Sequence, residues 1–198
     1  NSFKVKTRIG EGTAMSKKIS EMTLEELWQL FPIFLTEHQN CWEKWYEDEL
    51  ALLQSVLPED KITRMSHIGS TTIKTIWAKP IVDILVEASK NCDLRDIKDI
   101  LVNHGYSCMS EKKERISFCK GYTENGFADR VYHLHLRYSG DNDELYFRDY
   151  LAENYDVAKE YEKLKLSLWK KYEHNRDGYT ESKTEFIKRY TEKAKERY

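Results

Sequence analysis

The 198-residue chain has little of what marks several specialised protein classes, and each shortage excludes something. Its four cysteines, Cys41, Cys92, Cys108 and Cys119, are widely separated and form no C-x-x-C pair. Neither a zinc knuckle nor a disulfide framework is indicated, and reduced, mostly buried thiols are expected. No stretch approaches the roughly 18 continuous apolar residues of a membrane span. The amino-terminal segment also lacks the apolar region of a signal peptide, so a cytoplasmic protein with no membrane partner is expected. Neither sign of charge is in excess, because 32 Lys and Arg face 34 Asp and Glu. Without a global positive field, nucleic acid is not expected as a partner. The local surplus of Lys and Arg between Lys159 and Arg197 is spread at helical spacing among glutamates, which reads as a solvated helix face.

What is present suits one compact domain. Hydrophobic residues make up 40%, charged residues 33% and aromatic residues 13%, enough to build a core under a well-solvated surface. Residues 1–14 show little periodicity, and Met15 reads like a natural start, so this leader is taken as vector-derived or an extended, flexible arm. Residues 15–198 are taken as a single domain.

Thr23 with Glu26 forms a plausible capping box, which predicts a short amphipathic helix running up to Pro32 as a lid or brace. Asn40 is placed to cap a second helix, ending before Pro58, whose Trp42, Trp45, Tyr46, Leu50, Leu53 and Leu57 recur at helical spacing as core. Strands are expected at Ile62–His67 and Ile81–Glu87, with the segment from His67 to Thr71 as the turn that follows the first. Asp93 and Asp96 open a helix through Val102 that Gly105 stops. Short strands follow near Tyr106–Met109 and Arg115–Cys119, then a glycine-bearing loop over 121–128 and an alternating strand over 131–138. From Leu145 onward the pattern is helical with a break at Asn175–Gly178, giving a C-terminal helical pair. The order describes a mixed α/β domain.

The chemistry concentrates in two short segments. Gly69 permits close backbone approach, while Ser70, Thr71 and Thr72 offer hydroxyls and amides at an expected helix start, the makings of a phosphate cradle. Gly-Ser turns are also common as plain structure. Asp83 interrupts the apolar run PIVDILVE, and on a strand it shares a face with Leu85 and Glu87. A carboxylate there, opposite a glycine turn, suits metal-dependent nucleotidyl transfer, in which amides hold a triphosphate and carboxylates hold divalent cations against it.

Residues 67–87, HIGSTTIKTIWAKPIVDILVE, resemble the signature of the GrpB family: H-[IV]-G-S-T, a variable insert, then A-K-P-I-x-D-I. The likeness continues through HLHL at 133–136, FRDYL at 147–151, Tyr161 with Lys165, and YTESKTEFI at 179–187, spanning roughly Glu37 to Ala194. The resemblance implies a fold like that of the DNA polymerase β-like nucleotidyltransferases: a small mixed β-sheet with flanking helices and a C-terminal helical segment. It also implies a nucleoside triphosphate, an acceptor of unknown kind, and Mg²⁺ or Mn²⁺ as cofactor. Some relatives are fused to dephospho-coenzyme A kinase, which points toward nucleotide or coenzyme A metabolism.

One departure is plain. Active members of that superfamily place two acids two residues apart, and here Leu85 fills the second place. Glu87 lies roughly 13 Å from Asp83 at strand rise, too far to share an ion. His133 and His135, turned to one face by their i, i+2 spacing, are the candidates to complete a metal site with Asp83; ordinary half-buried histidines are the alternative. Asp129 is a weaker acidic candidate. Lys79 either neutralises phosphate or orients the start of the strand, and Arg148 either grips phosphate or locks Asp149 and its helix to the sheet. Lys165, Tyr179 and Lys183 belong to the terminal helices and are candidates for the same cleft, while His67 is expected to support the glycine turn. The rival to an enzyme is a non-catalytic module that binds a nucleotide or coenzyme A.

Overall fold

The computed structural model describes residues 17–197, so the expectation for a leader at 1–14 lies outside the described residues. Helix α1 (Leu24–Leu30) starts on the foreseen capping box: Glu26 N donates to Thr23 Oγ1, and Thr23 N donates to the Glu26 carboxylate. Helix α2 (Cys41–Val56) also forms, although Asn40 is itself helical and its side chain caps nothing. Trp42 and Leu53 from α2 are fully buried.

Five strands follow: β1 (Ile62–Ile68), β2 (Val82–Ala88), β3 (Ser107–Lys112), β4 (Arg115–Thr123) and β5 (Gly126–Tyr138). They make one mixed sheet in the order β1-β2-β5-β4-β3, parallel between β2 and β5 and antiparallel elsewhere. Helix α3 (Leu94–Asn103) connects β2 to β3 and is capped by Asp93, which accepts from Arg95 N.

The alternation of each strand sorts residues to two faces. Val82, Ile84 and Val86 of β2 and Leu134 and Leu136 of β5 bury themselves with Trp42, Leu53, Ile97 and Leu101 from α2 and α3. The opposite face carries Asp83 and Leu85 from β2 and His133 and His135 from β5. It is flanked by α4 (Asp143–Glu153), α5 (Tyr155–Tyr172), α6 (Arg176–Glu181) and α7 (Thr184–Arg197). An apolar seam of Ile73, Ile76, Leu151, Ala158 and Tyr161 ties these helices to the segment after β1.

Three expectations need correction. The loop foreseen over 121–128 is a hairpin: β4 runs to Thr123 and β5 begins at Gly126. Gly121, with φ +90°, is a strand residue and not a loop residue: the register shifts between Lys120 and Tyr122, with the extra residues on β5 opposite it. The helical pair is four helices, because Asn154 closes α4 with its amide on Tyr150 O and Asn175 caps α6 through Gly178 N. Gly178 therefore sits inside α6, packed where a side chain would strike the Tyr172 ring at 2.7 Å. The thiols divide evenly: all four are free, Cys92 and Cys119 buried, Cys41 and Cys108 exposed.

Candidate functional site

The register of the sheet assembles the site. On β2, Asp83 is paired with Ile68 of β1 and with His133 of β5, so the turn leaving β1 begins beside the carboxylate. Gly69 makes that approach possible. It has φ +77°, and a Cβ built there would meet Asp83 Oδ2 at 2.6 Å. Any larger residue would displace the acid. The segment after Gly69 is a single 3-10 turn, Ser70–Thr72, closed by Thr72 N and Thr72 Oγ1 on Gly69 O. The expected α-helix start is thus absent, and no helix dipole adds to the turn. His67 stacks on Tyr46 at 4.7 Å and meets Thr71 Oγ1 at 2.9 Å through Nε2, a support for the turn. Burial takes its pKa down to about 4.

Asp83 Oδ1 lies 3.2 Å from His135 Nε2 and 3.7 Å from His133 Nδ1. The other ring nitrogen of His133 is 2.8 Å from the Tyr122 hydroxyl. Burial raises the Asp83 pKa, but the hydrogen bond with His135 and the charges of His133, His135 and Lys79 outweigh that and hold the carboxyl at about 2. Burial, above all, keeps His133 well below its ordinary range. The pairing of β2 with β5 therefore brings the three side chains together, yet among the described residues no three His, Cys, Asp or Glu groups form a set able to hold a metal by themselves. Leu85, fully buried with Ile68 and Leu145, supplies no second acid. Glu87 serves the scaffold instead, bonded to Arg64, Gly140 N and Asn142.

A cleft of about 780 Å³ opens over Gly69, Ser70, Asp83, His133 and His135, within the size range of small-molecule sites. Its far wall is cationic. Lys79 and Lys183 lie 5.3 and 4.3 Å from the centre of the Tyr179 ring, and Lys165 lies 4.9 Å from that of Tyr161. Arg176, from the start of α6, also lines it. Burial, reinforced by Arg176, lowers Lys79 to about 8, and burial lowers Lys165, only 2% exposed, to about 7. Lys183 is pushed far down by burial and by the charges of Lys79 and Lys165. Lys165 donates to Trp77 O, while the buried Tyr179 hydroxyl has no hydrogen-bond partner among the described residues.

Arg148 lines the cleft too, but its Nη1 donates to His67 O at 2.9 Å and its Nε to Asp149 at 2.7 Å, which locks α4 to the end of β1. Asp129 lies apart from the cleft, on a second cavity. Two contributors escaped the sequence reading. Arg176 stands in no motif, and Tyr122 lay within the supposed loop; period-2 alternation across Gly121, interrupted by the bulge, was the only available signal for the latter.

Comparison with known proteins agrees with the sequence motifs. Residues 32–193 match the family model described as GrpB protein. The glutamate-rich protein GrpB of Alkalihalophilus pseudofirmus is 34% identical over 161 residues, covering 78% of this chain and 91% of that protein. The UPF0157 protein YqkA of Bacillus subtilis is 29% identical over 195 residues, covering 96% of this chain, whereas the chain spans 56% of that protein's length. The crystal structure of conserved protein GrpB from Enterococcus faecalis superimposes with a TM-score of 0.72 at 29% identity, covering 83% of this chain and 99% of the other.

Proposed function

The chain belongs to the GrpB family, and from the cleft it carries we propose that it binds a nucleoside triphosphate and transfers the nucleotidyl group to an acceptor. The observation that supports this reading is an imbalance of charge: Lys79, Lys165, Lys183 and Arg176 converge on a cleft in which Asp83 faces them beside a glycine turn. Withdrawing an ammonium from water costs several kcal/mol unless it is paired. Lys165 is buried and Lys79 and Lys183 are half-buried, and burial lowers the pKa of all three. A polyphosphate supplies the missing negative charge.

In this reading Gly69, Ser70 and Thr71 cradle phosphate oxygens with hydroxyls and backbone, while Lys79, Lys165, Lys183 and Arg176 neutralise them. Phosphoryl and nucleotidyl transfer ask little covalent chemistry of a protein, so these groups act by holding the α-phosphate for in-line attack and by stabilising charge on the departing pyrophosphate. Arg148 keeps the floor rigid.

The donor set suits a divalent ion that arrives with the nucleotide better than a resident one. Mg²⁺ is commonly held by one or two carboxylates, waters and substrate phosphates. Asp83, ionised at any physiological pH, fits as its protein ligand, with His135 and His133 as neighbouring donors for Mn²⁺. The ion would neutralise phosphate charge during transfer. One observation favours a second reading, a binding module without turnover: Leu85 stands where a second acid would sit, sealed in an apolar cluster.

The deciding experiment measures pyrophosphate release from each nucleoside triphosphate with Mg²⁺ or Mn²⁺, beside calorimetric binding with and without metal. Metal-dependent release that Asp83→Asn reduces by at least about 100-fold supports transfer. Saturable, metal-independent binding without release selects the binding module. No binding of any triphosphate removes both.

A further inference from the structure

Between the segment that follows α1 and the β4–β5 hairpin lies a second cavity, of about 170 Å³. Five of its fourteen lining residues are aromatic: Phe31, Phe34, Trp45, Tyr122 and Phe127. The Phe31 ring is 4.7 Å from Tyr122 and 5.1 Å from Phe127, and Phe34 is 6.1 Å from Phe127. All three pairs are tilted, an ordinary packing geometry for aromatic rings. Protein interiors pack rings of this size without voids. These rings pack on one another at ordinary distances, a cavity opens beside them, and Phe34 remains 36% exposed.

The cavity adjoins the cationic cleft. Lys79, Ile81 and Arg176 belong to the walls of both. Tyr122 joins them in another way, since its ring lines the aromatic cavity while its hydroxyl meets His133 of the cleft at 2.8 Å. A ligand whose phosphates rest on Lys79 and Arg176 therefore lies beside the aromatic cavity that those two residues also line.

We propose that this cavity is the base site of the nucleotide, holding a planar purine or pyrimidine among Phe31, Phe34 and Phe127 while the phosphates lie on the shared cations. The assignment rests on the phosphate reading of the cleft and adds the ligand's other half. Stacking a base on aromatic side chains is tolerant of base identity, because every base offers a π-face. The site thus separates nucleotides from bare polyphosphates more strongly than one nucleotide from another.

The test is calorimetric titration of the full chain with inorganic tripolyphosphate and with each of the four common ribonucleoside triphosphates, repeated on Phe34→Ala and Phe127→Ala. Nucleoside triphosphates are expected to bind the unaltered protein about tenfold or more tighter than tripolyphosphate. Both substitutions are expected to remove most of that advantage and leave tripolyphosphate binding unchanged. The tripolyphosphate arm reports that each variant is folded, and Phe34→Ala, at a half-open rim, decides the matter if Phe127→Ala loses both ligands. Equal affinity of the unaltered protein for nucleotide and tripolyphosphate overturns the base site and spares the phosphate cleft, as does nucleotide binding that Phe34→Ala leaves intact. Failure of tripolyphosphate and nucleotides alike overturns the cleft reading and the base site with it.

Discussion

At the scale of the residue, two positions carry conflicts that can be measured. Gly69 combines φ +77° with an Asp83 oxygen 2.6 Å from where a Cβ would stand. Gly69→Ala is therefore expected to destabilise the fold by about 1–3 kcal/mol, the usual cost of a strained backbone, and to push Asp83 off His135. Urea denaturation gives the first effect; a change of less than about 0.5 kcal/mol would contradict the close approach. Lys165 poses the opposite conflict. It is buried, its pKa is brought down to about 7 by burial, and its ammonium still reaches Trp77 O. Replacing a buried charged group by an apolar one of similar length often stabilises by about 1–4 kcal/mol. Lys165→Met is expected to fall in the lower half of that range while weakening triphosphate binding at least about tenfold. Lost stability with unchanged binding would make Lys165 a structural residue.

At the scale of the element, the β4–β5 hairpin depends on its bulge. A Cβ on Gly121 would meet Arg130 O at 2.3 Å, in a conformation of φ +90° that other residues rarely adopt. Backbone cannot yield as a side-chain end can, so Gly121→Ala is expected to cost about 2 kcal/mol or more and to open the hairpin from Tyr122 to Phe127. Faster amide exchange in that stretch, with α2 and α3 still protected, is the signature to look for. The same hairpin marks where sequence reasoning stopped. Gly121 and Gly126 look like loop punctuation when read along the chain, whereas the cross-strand partner Arg130 that gives Gly121 its purpose is visible only once the strands pair. Asp83 beside Gly69 was legible because a buried strand acid and a glycine turn fourteen residues apart leave few arrangements on adjacent strands. His133 and His135 were legible from the two-residue period alone. The cationic wall was legible only as scattered residues: Lys165 and Arg176 are drawn toward Lys79 by the packing of α5 and α6, and no spacing along the chain encodes that meeting.

At the scale of the whole molecule, the cleft lysines couple folding, binding and pH with opposite signs. Burial lowers Lys79 to about 8 and Lys165 to about 7 from the ordinary 10.5. Between these values and 10.5 the unfolded chain holds more protons than the folded one, so stability contributed by the pair rises with pH across that window. Asp83 acts elsewhere: lowered from 3.8 to about 2, it contributes stability present above 3.8 and lost as pH falls through 2. An anionic ligand favours protonated lysines and draws their pKa values back up, so binding takes up protons. The affinity of the ligand-free protein for a triphosphate should then fall by at least about one decade per pH unit above pH 7, steepening above pH 8. A terminal phosphate, whose last ionisation lies near pH 6, is already fully charged there and does not mask the trend. Denaturant stability of the unliganded protein and calorimetric affinity, both followed from about pH 7 to about pH 9.5, should move apart, the first rising as the second falls. Affinity that stays level over this range would mean that the phosphates bind elsewhere and that these lysines line the cleft for some reason other than the ligand.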